Sequence, residues 1–267
     1  MTYKQEYNSV SELIEKVWLK PHAKNKKHGR AILLEKNKKG RMGWYSDEPA
    51  TPHEMVDRIK NGDTYNLEKI RNLAGKINIE NIKSLKRKRK KSDQGDDLNI
   101  ESVYSGNLDR AWSSVGKSQG VAINGKEVTI CVNVGGNCNR DASTLIHRGV
   151  LGLAMADAYA TAGYAVSVYA YFAGKDVTVT GHDLSVTLKL TEEGMPFDAE
   201  KLSSVLCSPG FFRTLFFATI LAVPEKFTEG MGTSLNDPPA QIDGAINISG
   251  VWSEYDIQDY LKNQKIE

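Results

Sequence analysis

A chain of 267 residues and 29.5 kDa, with 40% hydrophobic and 25% charged residues, excludes collagen-like, mucin-like and wholly disordered classes and can bury a sizeable core. The net charge of +2 conceals a division: residues 1–91 hold 23 Lys and Arg against 11 Asp and Glu, a surplus of +12, which leaves residues 92–267 with 12 against 22, or −10. A cationic segment joined to an acidic one points to a polyanionic partner for the first and to solubility or a basic partner for the second, with association of the two as the competing reading.

No apolar run reaches the roughly 18 residues of a membrane span, and the opening Met1–Tyr7 lacks the apolar stretch of a secretory signal, so the expectation is a cytoplasmic protein with no membrane partner. Cys131, Cys138 and Cys207 are odd in number and lack CxxC spacing. That argues against a disulfide framework and a structural zinc site and predicts reduced, mostly buried thiols.

In chain order, Val10, Leu13, Ile14, Val17 and Trp18 recur at helical spacing behind Ser9 or Ser11 as cap, and Pro21 closes that helix. Segments 30–35 and 41–45 flank Lys36-Asn37-Lys38-Lys39-Gly40 and read as a hairpin with a basic tip. Thr51, Pro52 and Glu54 give cap, first-turn proline and capping-box carboxylate for a helix ending at Gly62. A further helical pattern from Leu67 to Leu85 runs into the basic stretch Lys86, Arg87, Lys88, Arg89, Lys90 and Lys91. The polar, turn-prone residues 92–97 then reverse the charge, and the domain boundary is placed there.

The second part is more regular. Residues 128–134 predict a strand buried on both faces and ending at Gly135-Gly136. A helix over 143–162 stops at Gly163, and a strand over 165–172 completes a βαβ unit, for which a parallel pair is the default. Segments 177–180 and 185–190 predict an edge hairpin around Gly181-His182-Asp183. Helices over 197–206 and 210–221, a last strand over 245–248 and a helix over 253–262 follow, the second helix burying Phe211, Phe212, Leu215, Phe216 and Ile220.

Ligands of such sheets sit beyond the carboxyl ends of strands, so the loop from Gly135 to Asp141 is the first place to seek a site. Its glycines do not complete GxGxxG, and GxxxxGK(S/T) is absent, against a nucleotide phosphate loop. Cys138 near a helix start has the setting of a lowered thiol pKa, yet no catalytic-cysteine signature surrounds it and the nearest His147 falls within the helix. His182 reads as a solvated turn residue, and His22, His28 and His53 belong to the basic segment. HExxH and GxSxG are missing, and Glu192-Glu193 and Asp96-Asp97 lie in turns, so the expectation is a protein that is not an enzyme and takes no cofactor.

The basic segment supplies phosphate contacts through Lys24, Lys26, Lys27, Arg30, Lys36, Lys38, Lys39 and Arg41, with Trp44 or Tyr45 beside them as a stacking face. Lys86 to Lys91 would add sequence-independent affinity, although six basic residues equally fit an import signal or a solvated tether. Trp18 reads as a core anchor of the first helix.

The strand, glycine loop and alanine-rich helix resemble a von Willebrand factor A-like domain over roughly residues 125–260. The resemblance implies a three-layer Rossmann-like α/β body and a DxSxS metal loop, but the matching positions read Asn133, Gly135 and Asn137, so the charged ligand and both hydroxyls are gone and no metal is expected. Asp141 and Ser143 offer a shifted DxS fragment, with Thr233, Asp237 and Asp243 in later loops, and helix capping by Asp141 or Ser143 is the simpler account. The basic segment, Gly106-Asn107-Leu108-Asp109-Arg110-Ala111-Trp112 and Cys207-Ser208-Pro209-Gly210-Phe211-Phe212-Arg213 together resemble a phage family of single-stranded-DNA-binding transcription proteins that recruit a heterodimeric phage RNA polymerase to promoters. That resemblance implies a non-catalytic accessory factor of the host cytoplasm, with single-stranded DNA and the polymerase as partners. The organisation expected is a basic α+β module over 1–91, a linker over 92–124 and an α/β body over 125–267; the alternative function is a protein-interaction adaptor with a metal-free A-like domain and a basic tether.

Overall fold

The apolar run around Ile130 is an interior strand of the main sheet, and the chain around it follows its local signals closely. The computed structural model describes residues 2–19, 52–62, 67–74, 89–92, 97–98, 112–115, 127–136, 140–175, 183–191, 198–216, 218–219 and 242–263. Strand β5 (Glu127–Asn133) leads into helix α4 (Ala142–Ala162), which returns the chain to strand β6 (Ala165–Lys175), paired parallel with β5 from Glu127↔Ala165 to Asn133↔Tyr171. Gly163 ends α4 at φ 97°, a left-handed conformation that favours glycine, with its N–H bonded back to the Ala160 and Tyr159 carbonyls. The expected βαβ unit is present.

Three more strands complete a five-stranded α/β sheet, in the order β1-β7-β6-β5-β8. β8 (Ile246–Ile248) pairs parallel with β5 at one edge. β7 (Asp183–Lys189) runs antiparallel to β6, from Tyr169↔Lys189 to Lys175↔Asp183. The expected hairpin between 177–180 and 185–190 therefore needs correction: β7 is an interior strand, and residues 177–182 lie outside the described residues. Its other neighbour is β1 (Thr2–Tyr7), parallel from Thr2↔Asp183 to Tyr7↔Leu188. The sheet is mixed, and most of its pairs are parallel.

Strand alternation sorts the side chains onto two faces. Ile130, Val132, Val168, Ala170, Phe172, Leu184, Val186, Leu188 and Ile248 belong to one large core; Cys131 and Tyr171 form a smaller one with Tyr169, Ile242 and Ala245. The described helices gather on the larger core. They are α1 (Val10–Ile14, continued by a π-helical turn over Glu15–Leu19), α2 (Pro52–Asn61), α3 (Leu67–Ala74), α4, α5 (Ala199–Leu206), α6 (Pro209–Phe211, continued by a π-helical turn over Phe212–Phe216) and α7 (Glu254–Asn263). A second helical layer, as the three-layer form requires, is not among the described residues.

α4 is apolar nearly all round because it lies between the sheet and α3, α5 and α7. Gly149 lets it approach α5 and Gly152 lets it approach Val132. Among the described residues no helix is long and apolar enough to cross a membrane.

The charge boundary at residue 91 is not a boundary of the core. Ser9 caps α1 by accepting from the Glu12 N–H at 3.1 Å, and the helix sets Leu13 and Val17 beneath the sheet. α2 begins at Pro52 and is followed by Gly62 at φ 83°, as expected, and it adds Met55 and Ile59; α3 adds Ile70 and Leu73. Among the described residues of segment 1–91, β1 and α1 to α3 therefore share one core with the later chain. A three-stranded antiparallel sheet, in the order β2-β4-β3, is formed by β2 (Arg89–Ser92), β3 (Asp97–Leu98) and β4 (Trp112–Val115). Of the stretch 92–97 expected to turn, Ser92 ends β2 and Asp97 begins β3, both strands pair with β4, and residues 93–96 lie outside the described residues.

Burial pushes the Cys131 thiol up from 9.0 to about 12; burial and then Tyr159 push the Tyr260 phenol, which donates to the Asn247 carbonyl at 2.8 Å, from 10.0 to about 12. Both folded values lie above the unfolded ones, so the stability these neutral groups contribute is complete below pH 9 and is lost as the pH rises from 9 towards 12. The urea midpoint is expected to fall above about pH 9, and Cys131→Ala to delay the fall to about pH 10; a midpoint still level at about pH 11 would contradict the burial of both groups.

Candidate functional site

β5 lies between β6, reached through α4, and β8, reached by the later chain, so the crevice beyond its carboxyl end is where an open α/β sheet presents a ligand site. The chain leaves β5 through a fixed turn. Asn133 is 3% exposed, and its Oδ1 accepts from the Gly135 N–H at 2.9 Å. This side chain is held by the loop's own backbone.

Two buried arginines then pin the ends of the loop. Arg148, on the second turn of α4 and fully buried, donates through Nη2 to the Gly135 carbonyl. Arg213, on the π-helical turn after α6 and 2% exposed, donates through Nη2 to the Arg140 carbonyl at 2.7 Å. The two guanidiniums thus bond to backbone carbonyls at the two ends of the loop, Gly135 and Arg140.

Trp252, between β8 and α7, closes the cluster. The Arg148 Cζ lies 4.1 Å from its ring centroid and the Arg140 Cζ 4.6 Å, within cation–π range for both. The Trp252 backbone N–H donates to the Asp256 carboxylate at 2.9 Å, and the Asp256 backbone N–H donates to the Ser253 Oγ at 3.2 Å. These two bonds cap α7 and fix the entry of the chain into it.

The capping expected of Asp141 or Ser143 needs correction. Asp141 stands at the N-cap of α4, but its carboxylate makes no cap hydrogen bond; its carbonyl accepts from the Thr144 N–H at 3.1 Å and the Thr144 Oγ1 at 2.8 Å. Ser143 already lies inside the helix. His147 faces its own helix, with Nδ1 3.2 Å from the Thr144 carbonyl. Among the described residues no three His, Cys, Asp or Glu side chains gather as metal ligands do.

Of the residues read as nucleic-acid contacts, Lys24, Lys26, Lys27, Arg30, Lys36, Lys38, Lys39, Arg41, Trp44, Tyr45, Lys86, Arg87 and Lys88 lie outside the described residues, as do Asn137, Cys138, Thr233 and Asp237. Arg89, Lys90 and Lys91 form β2 with Ser92, paired from Arg89↔Val115 to Ser92↔Trp112. The last part of the basic run is thus a paired strand and not a tether.

The 207–213 stretch is buried throughout: Ser208 caps α6 by accepting from the Phe211 N–H at 3.1 Å and reaches the Met55 Sδ at 3.5 Å. Reasoning from sequence named Arg140 only as part of the 135–141 loop and Arg213 only as part of the 207–213 stretch, and it passed over Arg148 and Trp252. The available signal was a charge inside apolar company, Arg148 between Ile146 and Val150 and Arg213 between Phe212 and Leu215, since a lone arginine there must find its partners in the core.

A cavity of about 360 Å³ lies at the opposite end of the sheet, between α1, α2, the end of β7 and α5. Its polar rim is already engaged. Ser9 and Asp198 accept helix-capping bonds, the Lys201 N–H holds the Asp198 carboxyl below its ordinary range, and the Lys201 ammonium pairs with Asp198 at 3.3 Å. The crevice beyond β5 and β8 is therefore the better candidate.

No curated protein and no solved structure matches the chain. One family model matches over residues 1–267, described as a domain of unknown function, DUF7192. The chain belongs to the DUF7192 family.

Proposed function

We propose that this protein is a non-catalytic, single-stranded-DNA-binding accessory factor of transcription, which brings a phage RNA polymerase to promoters in the host cytoplasm. The observation that carries the reading is the cationic front of the chain, +12 over residues 1–91, whose basic run continues into a paired strand, Arg89–Ser92, opposite Trp112–Val115. Cations carried on an ordered strand meet phosphates with less loss of chain entropy than cations on a loose tail. The acidic remainder, −10, then serves to dock the polymerase.

We take the body to be a three-layer, A-like form of the Rossmann-like class. The support is the strand, loop and helix of β5 and α4, with β5 between two parallel neighbours and one antiparallel strand beyond β6. The loop reverses the electrostatics of a metal site: Asn133 replaces a carboxylate, and the guanidiniums of Arg148 and Arg213 bond to the loop's carbonyls, positive charge where a divalent cation needs negative. The adaptor alternative, with a basic tether, is disfavoured because Tyr7, Leu13, Val17, Met55, Ile59 and Leu73 lie inside the common core.

Filter binding of single-stranded DNA, duplex DNA and RNA across a salt series tests the reading. Single-stranded DNA is expected to bind tightest, with affinity falling steeply with salt. Replacing Lys86 to Lys91 by glutamine, which removes the charge and keeps a polar side chain, is expected to weaken binding about 100-fold near 0.1 M salt and to lower the logarithmic salt slope by roughly 3 to 4. Binding that ignores salt, or no binding, defeats the proposal.

A further inference from the structure

The crevice beyond β5 and β8 carries more than a pinned loop. Tyr255, three residues after Trp252 and in the first turn of α7, is 77% exposed, the one large hydrophobic side chain standing in solvent among the described residues. Arg140 is exposed as well, with its carbonyl held by Arg213 and its guanidinium over the Trp252 ring. The Trp252 backbone N–H is bonded to the Asp256 carboxylate, and its ring packs on the guanidinium of the fully buried Arg148.

An exposed ring three residues along the chain from a tryptophan that carries a guanidinium has the composition of a single-strand contact, in which a base stacks on an aromatic face and a cation meets the phosphate. The geometry points to Arg140 and Tyr255 as a nucleotide platform on the body: the base stacks on Tyr255, the phosphate binds the Arg140 guanidinium, and Trp252 and Arg148 position both. The carboxylates in the first turn of α7, Glu254 and Asp256, favour the uncharged base over the phosphate on that side, and Asp256 is already bonded to the Trp252 backbone N–H. This inference rests on the single-stranded-DNA reading and adds to it a second contact, provided by the acidic body itself.

The test is fluorescence anisotropy of a labelled oligothymidylate on the full chain, across a salt series. Both residues are exposed, and thermal melting checks that the variants stay folded. Tyr255→Ala is expected to weaken binding roughly tenfold with an unchanged salt slope, and Tyr255→Phe to bind as the parent does, because stacking needs the ring and not the hydroxyl. Arg140→Ala is expected to weaken binding and to lower the slope by about 0.7, the value of one single-strand phosphate contact, while Arg140→Lys keeps the slope. If the parent binds and Tyr255→Ala and Arg140→Ala bind equally well with the same slope, the platform is wrong and the DNA reading stands. Variants that keep DNA binding but lose the polymerase would make the surface a protein contact and also overturn the platform. A parent chain that binds no oligothymidylate overturns both.

Discussion

A fragment of residues 98–267, cut at the reversal of charge, is expected not to fold as a cooperative unit. The cut removes β1, which pairs with β7 from Thr2↔Asp183 to Tyr7↔Leu188, and so turns an interior strand into an edge. Among the described residues it also removes seven buried apolar side chains from the common core: Tyr7, Leu13, Val17, Met55, Ile59, Ile70 and Leu73. At roughly 1.5–3 kcal/mol for each buried side chain the loss exceeds about 10 kcal/mol, comparable with the whole stability of an ordinary domain. The fragment should show weak near-ultraviolet dichroism, bind a hydrophobic dye and melt without a sharp transition. A fragment that melts cooperatively near the temperature of the full chain would restore the two-domain division.

Gly149→Ala is expected to cost about 3 kcal/mol, the upper end of the range for overpacking. A Cβ at this position falls inside contact distance of the Leu206 carbonyl oxygen, 2.5 Å from its carbonyl carbon and 2.7 Å from the Cys207 Sγ. The obstacle is mainly backbone at the end of α5, so α4 and α5 must separate, and no side chain can rotate away to relieve the clash. By contrast Ala154→Gly, at a partly exposed position in the middle of the same helix, costs about 1 kcal/mol, chiefly through helix propensity. Urea denaturation of the two variants makes the comparison. If Gly149→Ala proves no worse than Ala154→Gly, the two helices do not pack as closely as described.

Elements whose signals lie within a few residues were legible. Ser9 caps α1, Pro52 opens α2 ahead of Gly62, and Gly163 ends α4, because caps, prolines and left-handed glycines act through neighbouring backbone groups. The strand, helix and strand from Glu127 to Lys175 could be read from apolar runs of the right lengths. β1 was within reach too: Tyr3 and Tyr7 alternate with Lys4 and Glu6 at period two, but a polar opening segment shows no reason for pairing until its partner is known.

The sequence by itself determined the α/β class, the βαβ unit and the two opposed charge blocks, all of which follow from composition or short-range periodicity. Only the tertiary structure decided that the first strand completes the main sheet, that β7 is interior, and that Arg140, Arg148, Arg213 and Trp252 meet at one loop. Strand order and the partners of a buried guanidinium are long-range matters. They are settled by which surfaces exclude water together, and residues as far apart as Arg140 and Trp252 carry no local mark of the contact they will make.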